Sequence, residues 1–267
     1  MRYIGIAGAF ALSLAIFTIA ATRPHAFGDR SAKGITADIR QRFPAAAPLL
    51  ARRPRPTGLP VAEALHVTLP RTYEGAQIVT GDGLSVEVVP LHVQAARRGD
   101  DDGLVVYADA WRDTDVICNP GIDGSEEFLY LRSAAAPTDF VHRISSAIPG
   151  RKLTAVRLAE GCIELSDANG GSLRIGKPFV IGHDGSVSER HIAWKVEPQE
   201  AGTWLVRLEL NPEGLDYPLL IDPSWTTTRG MGMQRARHAA PCSLMARYWS
   251  PGGIRRSISP PVKSTIR

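Results

Sequence analysis

Gly214-Leu-Asp-Tyr-Pro-Leu-Leu-Ile-Asp-Pro-Ser-Trp225 is the stretch on which the reading of this chain turns. Leu219, Leu220 and Ile221 form a short apolar run closed by Pro218 on one side and Asp222-Pro223 on the other, the composition of a buried strand that ends in turn residues. Upstream, the chain alternates and turns as a β protein does. Downstream, from Thr226, the periodicity fades and every charged residue is basic. The folded part is therefore expected to end at Trp225.

Working back from that strand, period-two segments recur at close spacing. Leu65–Leu69, Ala76–Thr80 and Leu84–Val93 come first, followed by Leu104–Ala108, Thr114–Cys118 and Glu127–Leu131. Phe140–Ile144, Leu153–Leu158, Cys162–Leu165, Ser172–Ile175, Pro178–Ile181, Ser188–Val196 and Thr203–Leu210 complete the series. Gly99-Asp-Asp-Asp-Gly103 reads as an exposed turn, and Asp167-Ala-Asn-Gly-Gly171 carries the Asn-Gly signal of a tight hairpin. About a dozen short, mainly antiparallel strands with no long helix between them predict an all-β chain built as a β-sandwich.

Only Ser31–Leu50 has helical character. Ile35, Ile39 and Phe43 recur every fourth residue opposite Asp38, Arg40, Gln41 and Arg42, which predicts a short amphipathic helix stopped at Pro44. Arg52-Arg-Pro-Arg-Pro-Thr-Gly-Leu-Pro60 follows as a proline-rich linker. Ahead of the helix, Met1-Arg2, the apolar run Ile4–Ile19 and the small residues Thr18, Ala20 and Ala21 read as a secretory signal, with Ala26 as a later cleavage point. The apolar run is shorter than the roughly 20 residues of a membrane-spanning helix. The expected divisions are thus 1–26 signal peptide, 27–60 helix and linker, 61–225 β-sandwich and 226–267 disordered basic tail, in a protein that is secreted or held at the cell surface.

The net charge of +4 belongs to the tail. Residues 226–267 hold eight Lys or Arg and no Asp or Glu, so residues 1–225 carry 23 basic and 27 acidic side chains. A basic isoelectric point produced this way does not indicate a nucleic-acid-binding domain. Of the three cysteines, Cys118 and Cys162 lie in the β region, and export would allow a disulfide between them. The alternative is that either is a small buried hydrophobe.

Leu215–Trp225, together with Trp111-Arg-Asp-Thr-Asp-Val-Ile117 and Gly124-Ser-Glu-Glu-Phe-Leu-Tyr-Leu131, resembles the N-terminal β domain of large secreted bacterial proteins that continue into kelch-type β-propellers. Arg235-Ala-Arg-His-Ala-Ala240 is similar to the start of a kelch repeat, but Pro241 to Gly253 does not continue the pattern. If each codon is read one base early, Met245-Ala246 forces Gly, Tyr248-Trp249 forces Leu and Trp249-Ser250 permits Val. All three fall where a kelch strand and turn need them. The expectation is a frame change after about Ala240; the alternative is a natural disordered tail.

Few residues carry chemistry at a telling spacing. His183-Asp184 with His191 is the nearest approach to a catalytic or metal cluster, and a secreted hydrolase or oxidase would have to use it; the first two, however, sit in Gly182-His-Asp-Gly185, whose residues are those an exposed hairpin turn requires, and that is the favoured reading. Glu126-Glu127 with Asp115 could form a carboxylate pair. Asp100–Asp102 lacks calcium-loop spacing, and Arg98-Gly-Asp100 is a short adhesion-type match. No nucleophile elbow, phosphate loop, dinucleotide fingerprint or His-Glu-x-x-His helix is present. The expected function is a non-enzymatic structural or adhesion module, without cofactor or metal, whose partners would be glycans or proteins.

Overall fold

A computed structural model describes residues 29–51, 65–121 and 124–227. The expected signal peptide, most of the proline-rich linker and the tail beyond Thr227 lie outside the described residues. Within them the chain is all-β, as its periodicity predicts, with one helix, α1 (Ala32–Arg42), before seventeen strands.

The smaller sheet has six antiparallel strands in the order β1 (His66–Thr68), β2 (Gln77–Gly81), β3 (Leu84–Pro90), β8 (Asp139–Ser146), β15 (Trp204–Leu210) and β14 (Ile192–Pro198). The larger contains β4 (Arg98–Asp101), β5 (Leu104–Trp111), β6 (Thr114–Pro120) and β7 (Ser125–Leu131) as a meander. The decisive stretch forms β16 (Leu219–Asp222) and β17 (Ser224–Thr227), which lie end to end along the free edge of β7. They part at Pro223. From there β16 leads to β12 (Phe179–Gly182) and β13 (Val187–Ser188), whereas β17 leads to β11 (Ser172–Ile175), β10 (Cys162–Asp167) and β9 (Leu153–Ala159). Proline suits the fork because it has no N–H to offer a ladder, and its carbonyl still accepts from Glu127 N at 3.1 Å. Strand structure runs two residues beyond the expected boundary at Trp225.

Turn chemistry sets several registers. Asp82-Gly83, Asp102-Gly103 and Glu160-Gly161 all have positive φ and close two-residue hairpins between directly paired strand ends, the conformation for which Asp-Gly is favoured. The predicted exposed turn at Gly99–Gly103 is therefore narrower than expected: Arg98–Asp101 is already a strand. The Asn169-Gly170 hairpin forms with a longer loop, in which the Asp167 carboxylate accepts from Asn169 N at 2.9 Å and Gly171 N at 3.0 Å.

Two apolar layers follow from the alternation. Val79, Val86, Tyr107, Leu129, Phe140, Val206 and Ile221 meet between the sheets. On the other face of the larger sheet, Ile35, Ile39 and Phe43 of the helix segment pack on Leu104, Val106, Ile117, Phe128, Tyr130 and Leu220. The strands β5 to β7 and β16 are thus covered on both sides, which is why their sequences read as apolar runs while β2 and β3 alternate cleanly. The helix starts where the Ser31 hydroxyl accepts from Gly34 N at 3.1 Å, and it ends before Pro44, as predicted.

Of the two alternatives left open for Cys118 and Cys162, the disulfide between them is not formed. Cys118 is a free, buried thiol, and Cys162 is disulfide-bonded. The two sit on β6 and β10, with β7, β17 and β11 between them. Four strand spacings amount to roughly 19 Å, well beyond the reach of about 7 Å between bonded Cα atoms.

Candidate functional site

His183 and Asp184 occupy the turn between β12 and β13, both exposed. Gly182 N donates to Ser186 O at 2.9 Å, Gly185 N to Gly182 O at 3.0 Å, and the Asp184 carboxylate accepts from Ser186 N at 2.9 Å. The Ser186 contacts hold the Asp184 carboxyl below the usual carboxylate range. A Cβ at Gly182 would stand 2.5 Å from Asp184 Oδ1, so a larger residue there would displace that side chain from its turn contact. A shallow cavity of about 110 Å³ lies beside this turn, lined also by Ser188 and Asp216. His191 is not among its lining residues; its Nδ1 is 3.2 Å from Asn211 O. No group of three or more His, Cys, Asp or Glu side chains among the described residues is placed to hold a metal ion.

The structure separates the carboxylates that the sequence suggested as a pair. Asp115 lies beside Tyr130 in the ladder, on the outer face of the larger sheet, whereas Glu127 lies beside Cys118 and faces the space between the sheets. Glu126 faces outward but sits opposite Asn119, four residues along β6 from Asp115, which is about 13 Å at strand rise. Neither can share a proton with Asp115 at hydrogen-bond distance. Asp100, for its part, is ion-paired with Arg98 at 2.7 Å, and Asp101 accepts from the Thr36 hydroxyl.

Asp115 instead anchors a cluster that the sequence did not reveal. Its side chain is fully buried. Arg132 Nη1 donates to Oδ1 at 2.7 Å, Arg30 Nη1 to Oδ2 at 2.9 Å and Arg30 Nη2 also to Oδ1. Asp109 N donates to the same carboxylate at 2.8 Å. Burial works against ionisation of Asp109, but its bond from Arg132 and the nearby Arg30 hold its carboxyl below the usual range. Arg30 comes from the segment before α1, so the cluster fastens that segment to the sheet. The Asp113 and Asp115 of the resemblance motif are thereby accounted for, since Asp113 accepts from the Ser133 hydroxyl at 2.6 Å and lies 3.5 Å from Arg132. Two Arg contributed from distant parts of the chain leave no local spacing to read.

A second grouping lies between the sheets. Gln77, Glu127 and His142 border a void of about 20 Å³ whose other walls are apolar, Trp194 and Trp225 among them. The Tyr73 hydroxyl donates to Glu127 Oε1 at 3.3 Å. Burial raises Glu127 to about 7 against the opposing pull of that hydrogen bond, and the packing around its half-buried ring lowers His142 to about 4. The signal was present in the sequence: each of the three polar residues stands at an inward position of a strand whose other inward residues are mostly apolar.

Comparison of the sequence with protein-family models and with curated proteins finds no match to either. Among the described residues no helix is long and apolar enough to cross a membrane.

Proposed function

We propose that the chain is a non-enzymatic β-sandwich module of an exported or cell-surface protein, of the kind that precedes a kelch-type propeller, and that it serves display or adhesion with a glycan or protein as partner. The observation that carries this reading is the engagement of the reactive side chains. Asp115 is held by two arginines, Asp184 closes a turn, and Glu127 lies beneath the surface against Tyr73. A scaffold whose acids serve its own architecture leaves recognition to its loops.

The kelch connection rests on the quoted motifs and on the alternative frame after Ala240. Reading the gene beyond that codon tests it: further repeats with paired glycines are expected in the shifted frame, and early stop codons there would overturn it. The double variant H183A/D184A tests the non-enzymatic part against the rival hydrolase or oxidase using His183, Asp184 and His191. Its glycan- or protein-binding profile should match the parent's, and loss of a measurable hydrolytic or oxidative activity in a folded double variant would reverse the assignment.

A further inference from the structure

The void between the sheets has polar walls that an apolar core does not need. Gln77 comes from β2, His142 from β8 and Glu127 from β7, so two sheets converge on one point with three hydrogen-bonding side chains. Gln77 and Glu127 are each only 7% exposed, and His142 is half-buried. Among the described residues no hydrogen bond reaches the Gln77 amide or the His142 ring, and Glu127 is served only by Tyr73. Polar groups that face so tight a space without a protein partner take a water as partner where one fits. A void of about 20 Å³ is the space one water needs, and a water held by three polar groups is the usual occupant of a polar internal cavity.

We propose that this void is a built hydration site in which one water is held by the Glu127 carboxyl, the His142 imidazole and the Gln77 amide, with Glu127 as a carboxylic acid and His142 unprotonated. In this arrangement the acid proton of Glu127 is donated to the water, the water donates to a ring nitrogen of His142, and the Gln77 amide fills the remaining position. The directions in which burial shifts the two titrating groups agree with this proton placement. The other titratable groups around Glu127 are Tyr73, Tyr107 on β5 and Cys118 on β6, all pushed upward first by burial and so held neutral, with Arg98 on β4 acting on Cys118 and Tyr107 from the edge. Trp194 of β14 and Trp225 of β17 complete the wall. Ionising Glu127 therefore places a charge beside two indoles.

The indoles give the experiment its readout. Tryptophan emission of the full chain, followed from pH 5 to 9, should shift with a midpoint near 7 while far-ultraviolet circular dichroism stays constant. The shift should vanish in E127Q and persist in H142N. Absence of any shift in the folded parent, or its survival in E127Q, overturns the proton assignment. Should E127Q fail to fold, the ¹³C resonance of the Glu127 carboxyl in the parent reads the same event, and titration at an ordinary glutamate value would overturn it. A crystal structure at pH 5.5 with density for a water touching all three side chains is expected; a dry void overturns the hydration site.

Discussion

The two faces of the larger sheet are covered in different ways. Toward the smaller sheet, contact is an apolar layer drawn from nearly every strand, interrupted where Gln77, Glu127 and His142 meet. Toward α1 the apolar contact is narrow, and polar clasps fix the segment in place: Arg30 on Asp115, the Thr36 hydroxyl on Asp101, the Tyr130 hydroxyl on Asp38 at 2.6 Å, and Asn119 Nδ2 on Leu49 O at 2.7 Å. Area is non-directional, so the inner face holds wherever shape and volume agree. Directional bonds are what can register a short helix on a flat sheet. The difference teaches that a covering element too small to be placed by burial alone is placed by polar contacts.

The comparison breaks most severely at Asp115. D115A strands two guanidinium groups against a buried site and should cost about 3–5 kcal/mol, read as a lower denaturant midpoint. A loss below about 1 kcal/mol would place the clasp among exposed ion pairs of little worth.

The inner face is sharpened next, by pH. Glu127 titrates at about 7 in the folded chain against 4.5 as its ordinary value. Its contribution is therefore full below 4.5 and is lost as pH rises to 7, about 3 kcal/mol in all. His142 runs the other way. Its folded value of about 4 lies below the ordinary 6.5, so stability is lost as pH falls through that interval, by a similar amount. The two slopes oppose each other from about 4.5 to 6.5, and the parent should be nearly flat there. E127Q should instead gain about 3 kcal/mol between pH 4 and 6.5, and H142N should lose about 3 kcal/mol between 4.5 and 7. Urea unfolding at half-unit pH steps checks both.

Smaller effects test single clasps. Y130F removes the bond to Asp38 and should cost about 1 kcal/mol, with faster hydrogen exchange confined to α1. D184A loses only an exposed turn contact and should leave the denaturant midpoint close to the parent's.

Much of the fold was legible because it is local. Ile35, Ile39 and Phe43 announce a helix, Pro44 its end, and Asp-Gly pairs their hairpins, since each depends on residues a few positions apart. The clasps and the cysteines were not legible for the opposite reason. Asp115 meets Arg30 and Arg132 across the fold, and nothing near Cys118 records that three strands separate it from Cys162. The carboxylate pair failed on a subtler point: Asp115 and Glu127 stand at opposite phases of adjacent strands, and phase is visible only once register is known. Glu127, His142 and Gln77 were visible singly, but only the packing of one sheet on the other brings them to the same void.

The forked strip from Leu219 to Thr227 sets an order of assembly. A ribosome releases β7, β11 and β12 well before the piece that must lie between them. Until it arrives, three sheet edges stand open, each able to pair with a foreign strand, and joining them needs contacts between residues far apart in the chain, which form slowly. Deleting Leu219–Thr227 would remove two short strands yet leave the larger sheet in separate pieces, so the nascent protein stays vulnerable to aggregation until its last described strands are in place.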